Sequence, residues 1–100
     1  MANVVSFNSY KLQEGASAQD FLLATETLLK EFVSKQKGFI SSKTLVDGDT
    51  WADFTVFESL DDLKAFVPLC NSSELARKCY SFMDFGTMKN HVFTVERSFG

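Results

Sequence analysis

One hundred residues make one domain, residues 1–100, that is 45% apolar, 14% aromatic and 23% charged, with five Gly, one Pro and a net charge of −3. This composition excludes a disordered chain, a collagen-like repeat and the basic stripe of a nucleic-acid-binding protein. No apolar run approaches the roughly 20 residues that cross a bilayer, so no membrane partner is expected. Residues Met1 to Phe7 lack a basic segment and a long apolar stretch. They do not read as a secretory signal, and a cytoplasmic location is the expectation. The two cysteines, Cys70 and Cys79, have no CxxC spacing and only His91 to join them. They read as free, buried thiols in a reducing compartment rather than as metal ligands. Eleven Phe are the oddity. A domain this small buries only about 60–70% of its unfolded surface, so some Phe line a pocket or a partner covers them.

Val4 to Leu12 alternates with period two, which predicts a strand with Val5 and Phe7 on one side and Ser6, Asn8 and Tyr10 on the other. Glu14-Gly15 breaks it. Ser17 and Asp20 resemble a capping box, and Phe21, Leu22, Thr25, Leu28, Leu29, Phe32 and Val33 then fall at helical spacing. The spacing predicts a helix from Ala18 to about Lys35, stopped by Gly38. Phe39 to Val46 reads as a second strand, Asp47-Gly48-Asp49 as a turn, and Trp51 to Glu58 as a third strand. Ser59 and Asp62 open another helix, which Pro68 should end or kink near Val67. Asn71-Ser72-Ser73 restarts a short helix with Leu75, Ala76, Cys79 and Phe82 inward. Asp84-Phe85-Gly86 reads as a loop, and Met88 to Phe99 as the last strand, with His91, Phe93, Val95, Arg97 and Phe99 on one face.

The order is β-α-β-β-α-β with the second helical segment in two pieces. This predicts an α+β, ferredoxin-like fold: a four-stranded antiparallel sheet, strands one and three central, both helices on one face. The other face is left bare. Both sides of the strands carry apolar residues, whereas a sheet face open to water should be polar. The expected partner is therefore a second copy of the chain, in a homodimer with the two sheets face to face.

Four stretches carry a resemblance to the antibiotic biosynthesis monooxygenase family of the dimeric α+β barrel superfamily. They are Tyr10-Lys11-Leu12-Gln13-Glu14-Gly15, Lys37-Gly38-Phe39-Ile40, Thr55-Val56-Phe57-Glu58-Ser59-Leu60 and Val92-Phe93-Thr94-Val95. The resemblance spans nearly the whole chain and implies a dimeric barrel with a pocket between each sheet and its helices. It further implies a cofactor-independent monooxygenase that oxidises an aromatic or quinol-type small molecule with O₂. A non-catalytic ligand-binding barrel and a lactone isomerase are the alternatives. The chain carries no motif for a flavin or a metal. In haem-degrading members a Trp ends strand three and a ligating His follows on the second helix. Here Phe57 stands in the first place, and Leu60 to Cys79 contains no His, so haem degradation is not expected.

Cofactor-free oxidation needs a dry cavity, a donor to the substrate oxygen and a modest base. The resemblance gives Asn8 the donor's place; the plain alternative is an amide satisfied by backbone or water. Asp53, on a half-buried strand, is either a base or the ion-pair partner of Arg97 or Lys43, since an unpaired buried carboxylate is costly. His91, the only histidine, is of the residue type suited to proton transfer near neutrality and could serve as base at the pocket mouth, or be a surface residue. Trp51, Phe57 and Tyr80 are candidate pocket walls: Trp51 is a rim or wall aromatic that could stack on a planar ligand, Phe57 lines the cavity beneath the helices, and Tyr80 either closes the pocket or packs in the core.

Overall fold

A computed structural model describes residues 2–100. Its elements are β1 (Val4–Leu12), α1 (Ala18–Glu31), a 3₁₀ turn (Val33–Lys35), β2 (Phe39–Asp47), β3 (Thr50–Phe57), α2 (Leu60–Asn71), α3 (Glu74–Tyr80) and β4 (Met83–Thr94). A serine starts each helix. Ser17 Oγ accepts from the Asp20 amide at 3.2 Å, Ser59 Oγ from Asp62 at 3.1 Å and Ser73 Oγ from Ala76 at 3.4 Å. Each satisfies one of the amides that a first helical turn leaves without a partner.

The strands form one antiparallel sheet in the order β2-β3-β1-β4. This is the ferredoxin-like arrangement expected from the order of elements, with β1 and β3 central. The helices pack on one face over two apolar clusters. At one end Tyr10, Phe21, Ala24, Cys79 and Met83 are buried together; at the other, Val4, Phe57 and Leu63 pack with Phe39 and Phe66. Gly38 holds the second end in register. It has φ +82°, accepts from the Glu58 amide at 2.8 Å, and a Cβ there would overlap the Asp62 side chain.

Three expectations are corrected. The first helix ends at Glu31, and a 3₁₀ turn follows. Ser34 Oγ donates to the Lys30 carbonyl at 3.1 Å, the acceptor that the Ser34 amide would need for the α-helix to continue. Of the two outcomes expected at Pro68, an end to the helix does not occur: α2 runs through it to Asn71. Pro68 and Lys64 both lie on the exposed side of the helix, where a carbonyl left without its usual donor is least costly. Asp84-Phe85-Gly86 lies within β4, and the strand ends at Thr94 rather than Phe99. The ladder pairs Ser9 with Lys89 and then Lys11 with Asp84, so residues 85–88 bulge opposite Tyr10. Side chains replace the lost rungs. The Lys11 amide donates to Thr87 Oγ1 at 2.9 Å, Thr87 Oγ1 to the Asp84 carbonyl at 2.7 Å, and the Gly86 amide to Asp84 Oδ1 at 3.0 Å. No helix among the described residues is long and apolar enough to cross a membrane.

Candidate functional site

The ladder register sorts the helix-covered face of the sheet into rows. Val46, Trp51 and Tyr10 form an apolar row at one end, and Phe39, Phe57, Val4 and Thr94 form one at the other. Two polar rows lie between them. Thr44, Asp53, Asn8 and Asn90 stand side by side across all four strands, next to Ser42, Thr55, Ser6 and Val92. Ser42 Oγ and Thr55 Oγ1 satisfy each other at 2.8 Å.

Asn8 and Asp53 are direct cross-strand neighbours at the centre of this band. Tyr10 donates its hydroxyl to Asp53 Oδ1 at 2.8 Å. Among the described residues, every polar side-chain atom cut off from solvent has a hydrogen-bond partner. Asp53 Oδ2 and both ends of the Asn8 amide have no such partner, so all three open onto accessible space. They are free to bind something else.

Electrostatics sharpens the picture. Burial pushes the Asp53 carboxyl above its ordinary value, against the opposing effect of the Tyr10 hydrogen bond. The proposed ion partners do not reach it. Lys43 pairs with Phe54 on the opposite face of the sheet, Arg97 lies beyond the end of β4, and the one ion pair among the described residues is Lys11 with Asp49 at 3.4 Å. Asp53 is thus a desolvated carboxyl with a hydrogen-bond donor and no cation. Tyr80 and Cys70 sit close by, with Oη and Sγ 3.4 Å apart. Burial raises both, and the Asp53 charge adds to each. Burial and then Asp53 also push the Cys79 thiol up to about 11. Both cysteines are buried and free, as expected, and they remain neutral thiols at physiological pH. No cluster of three or more potential metal-ligating side chains occurs among the described residues.

A groove of about 490 Å³ lies between α1 and the β2 edge. Leu22, Thr25, Glu26 and Leu29 line it from one side, and Phe39, Ser42 and Thr44 from the other. Its volume falls in the range of small-molecule sites. It meets the polar band at Ser42 and Thr44, with Asp53 one strand further in.

The six residues singled out from sequence divide accordingly. Asn8 and Asp53 come together, with Trp51 and Tyr80 half-buried at the same end of the covered face, packed against its apolar cluster. Phe57 is on that face but 0% exposed within the second cluster. It is core, and no ligand can touch it unless the core opens. His91 is corrected. It pairs with Phe7 on the opposite face and stacks on Phe93 at 5.5 Å with a 12° interplanar angle. Period two along β4 forces this, because Asn90 takes the covered side. Sequence reasoning missed Tyr10 and Thr44 as members of the site. The signal was present in the hairpin: Gly48-Asp49 is a two-residue turn closed by Asp47 and Thr50, and counting back from it sets Thr44 opposite Asp53.

No protein-family model matches the sequence, and no curated protein sequence matches it either. Solved structures do match its fold over nearly the whole chain. SnoaB, a cofactor-independent oxygenase from Streptomyces nogalater, superimposes with a TM-score of 0.79 at 14% identity, covering 96% of this chain and 95% of that one. A monooxygenase from ActVA-Orf6 of Streptomyces coelicolor, solved with the ligand nanaomycin D, gives 0.76 at 16% identity over 98% and 91%. A dimeric protein of unknown function and ferredoxin-like fold from Bacteroides fragilis gives 0.62 at 15% identity over 92% and 95%. At these identities the likeness is one of fold: this chain has the architecture of the antibiotic biosynthesis monooxygenase structures.

Proposed function

We propose that the chain is a cofactor-independent monooxygenase of the antibiotic biosynthesis monooxygenase family, acting as a homodimer on an aromatic or quinol-type small molecule. The observation that carries this is the Asn8–Asp53 pair, whose free polar atoms lie side by side between two apolar clusters on a fold shared with cofactor-independent oxygenases. Asp53 takes a proton from the substrate, leaving an electron-rich enolate or phenolate. The Asn8 amide donates to the oxygen on which that charge settles. The substrate supplies its own electrons to O₂; one oxygen atom enters it and the other leaves as water. A carboxyl raised by burial serves this better than an ordinary one, because a general base works best when its pKa approaches the operating pH. Trp51 and Tyr80 flank the planar substrate. The second copy covers the bare face of the sheet.

Oxygen uptake with a panel of quinols and anthrones, with and without a chelator, tests the proposal. Uptake is expected to persist with chelator and to fall roughly 10²–10³-fold in Asn8→Ala, the usual cost of losing one oxyanion donor. No uptake with any member of the panel sinks it. The shape of the groove favours a second reading, since its wall stops at Ser42 and Thr44 without including Asn8. A binding module without turnover fits that shape, and calorimetric binding of a quinol with no oxygen consumed is its signature.

A further inference from the structure

Tyr10 has no part in the reaction proposed above, yet it is the most constrained polar side chain near it. It is 1% exposed, and its ring meets Phe21 edge-on at 6.0 Å and 78°. Its hydroxyl is the polar tip of an apolar cluster, aimed at one oxygen of one carboxyl. Asp53 has no other protein partner among the described residues. A carboxyl torsion is broad and nearly two-fold, so without that bond its two oxygens would exchange places.

We propose that Tyr10 is the positioning residue of this site: by holding Asp53 Oδ1 it leaves Oδ2 as the one carboxyl atom that faces a bound molecule beside Asn8. The assignment rests on the reading of Asn8 and Asp53 as the functional pair. Tyr10 suits the task because burial and the Asp53 charge push its own ionisation up, so it stays a donor across the physiological range. It also counters the burial of Asp53 by stabilising the ionised carboxylate. The other titratable groups near the carboxyl are Cys70 from α2 and Cys79 and Tyr80 from α3. Thr44 faces it from β2, and α1 places Glu26 and Lys30 in the groove wall. None of these is hydrogen-bonded to Asp53, so the oxygen selection falls to Tyr10.

Carboxyl-labelled aspartate, followed by NMR from about pH 3 to about pH 9, reads this directly. The Asp53 signal is identified by its disappearance in Asp53→Asn. In the wild type it should titrate above the ordinary carboxylate range. In Tyr10→Phe its midpoint should rise by roughly one unit, the size of one hydrogen bond to a charged group. The wild-type Tyr10 hydroxyl proton should shift with the same midpoint, a measurement that needs no variant to fold. If the Asp53 midpoint is unmoved in Tyr10→Phe, or the hydroxyl proton fails to follow the carboxyl, the proposal is overturned. With a turned-over quinol, the acid limb of kcat should move with the carboxyl while KM holds. If no variant turns anything over, the oxygenase reading falls, and the titration still decides the role of Tyr10.

Discussion

The two faces of the sheet are inverted relative to what water and burial would each select. The face under the helices carries Ser6, Asn8, Ser42, Thr44, Asp53 and Thr55 in its middle, where a core would hold apolar side chains. The face without helices carries Phe7, Phe54, Val5, Val56 and Phe93 in adjacent rows, where a solvated sheet would be polar. Phe7 and Phe54 meet edge-on at 6.4 Å, and Phe93 stays 52% exposed. Polarity retained under cover costs stability unless it is hydrogen-bonded, and a large apolar surface left bare marks an interface. The proposed function divides the sheet the same way, with chemistry on the covered face and assembly on the bare one.

The largest effect that tests this division lies in the covered face outside its polar band. Phe57 meets Phe66 at 5.1 Å and Phe39 at 6.2 Å. As core, Phe57→Ala should cost about 3–5 kcal/mol in urea unfolding. A cost below about 1 kcal/mol would return Phe57 to the role of an uncovered pocket wall. Next in size is the bare face. Phe54→Asp puts a charge among Phe7, Val56 and Ala52, and should weaken the proposed homodimer by about 2 kcal/mol, roughly 30-fold in Kd. Sedimentation equilibrium reads it, and a wild type already monomeric at micromolar concentration ends the argument for assembly. His91→Ala, on the same face, should loosen the dimer more weakly and leave the pH dependence of any turnover unchanged.

Much of this division was legible in the chain itself. The period-two phase of Val4 to Leu12 puts Asn8 with Tyr10 and against Phe7, and β1 has that phase throughout. Ser17 and Ser59, each followed by an Asp three residues on, marked two helix starts that the capping bonds bear out. What stayed hidden depends on contacts between distant segments. The bulge at residues 85–88 exists because Thr87 can reach the Lys11 amide, 76 residues away in sequence. Before that reset, Asp84-Phe85-Gly86 carries only a turn signal. Pro68 reads as a helix stop because sequence does not tell whether the Lys64 carbonyl faces water. His91 lies on a strand beside β1, and only the strand register shows that it occupies the face opposite Asn8. Tyr10 went unassigned since an aromatic at a buried strand position reads as packing until its hydroxyl is seen to have one partner.

The smallest effect, and the one that most sharpens the contrast, is the pH dependence that Asp53 imposes on stability. Its folded-state value is raised above the ordinary one by burial, so in the interval between the two the native state holds a proton that the unfolded chain has released. Stability must then fall as pH rises through that interval and stay lowered above it. Asn cannot ionise but keeps a side-chain oxygen to accept from Tyr10. Asp53→Asn should therefore match the wild type below the ordinary carboxylate range and exceed it at neutral pH. Thermal unfolding of both proteins at acidic and neutral pH measures the difference. If Asp53→Asn instead loses stability at neutral pH, the carboxylate is being stabilised by something other than the Tyr10 hydroxyl, and the covered face is a structural polar core rather than a site held at a cost for chemistry.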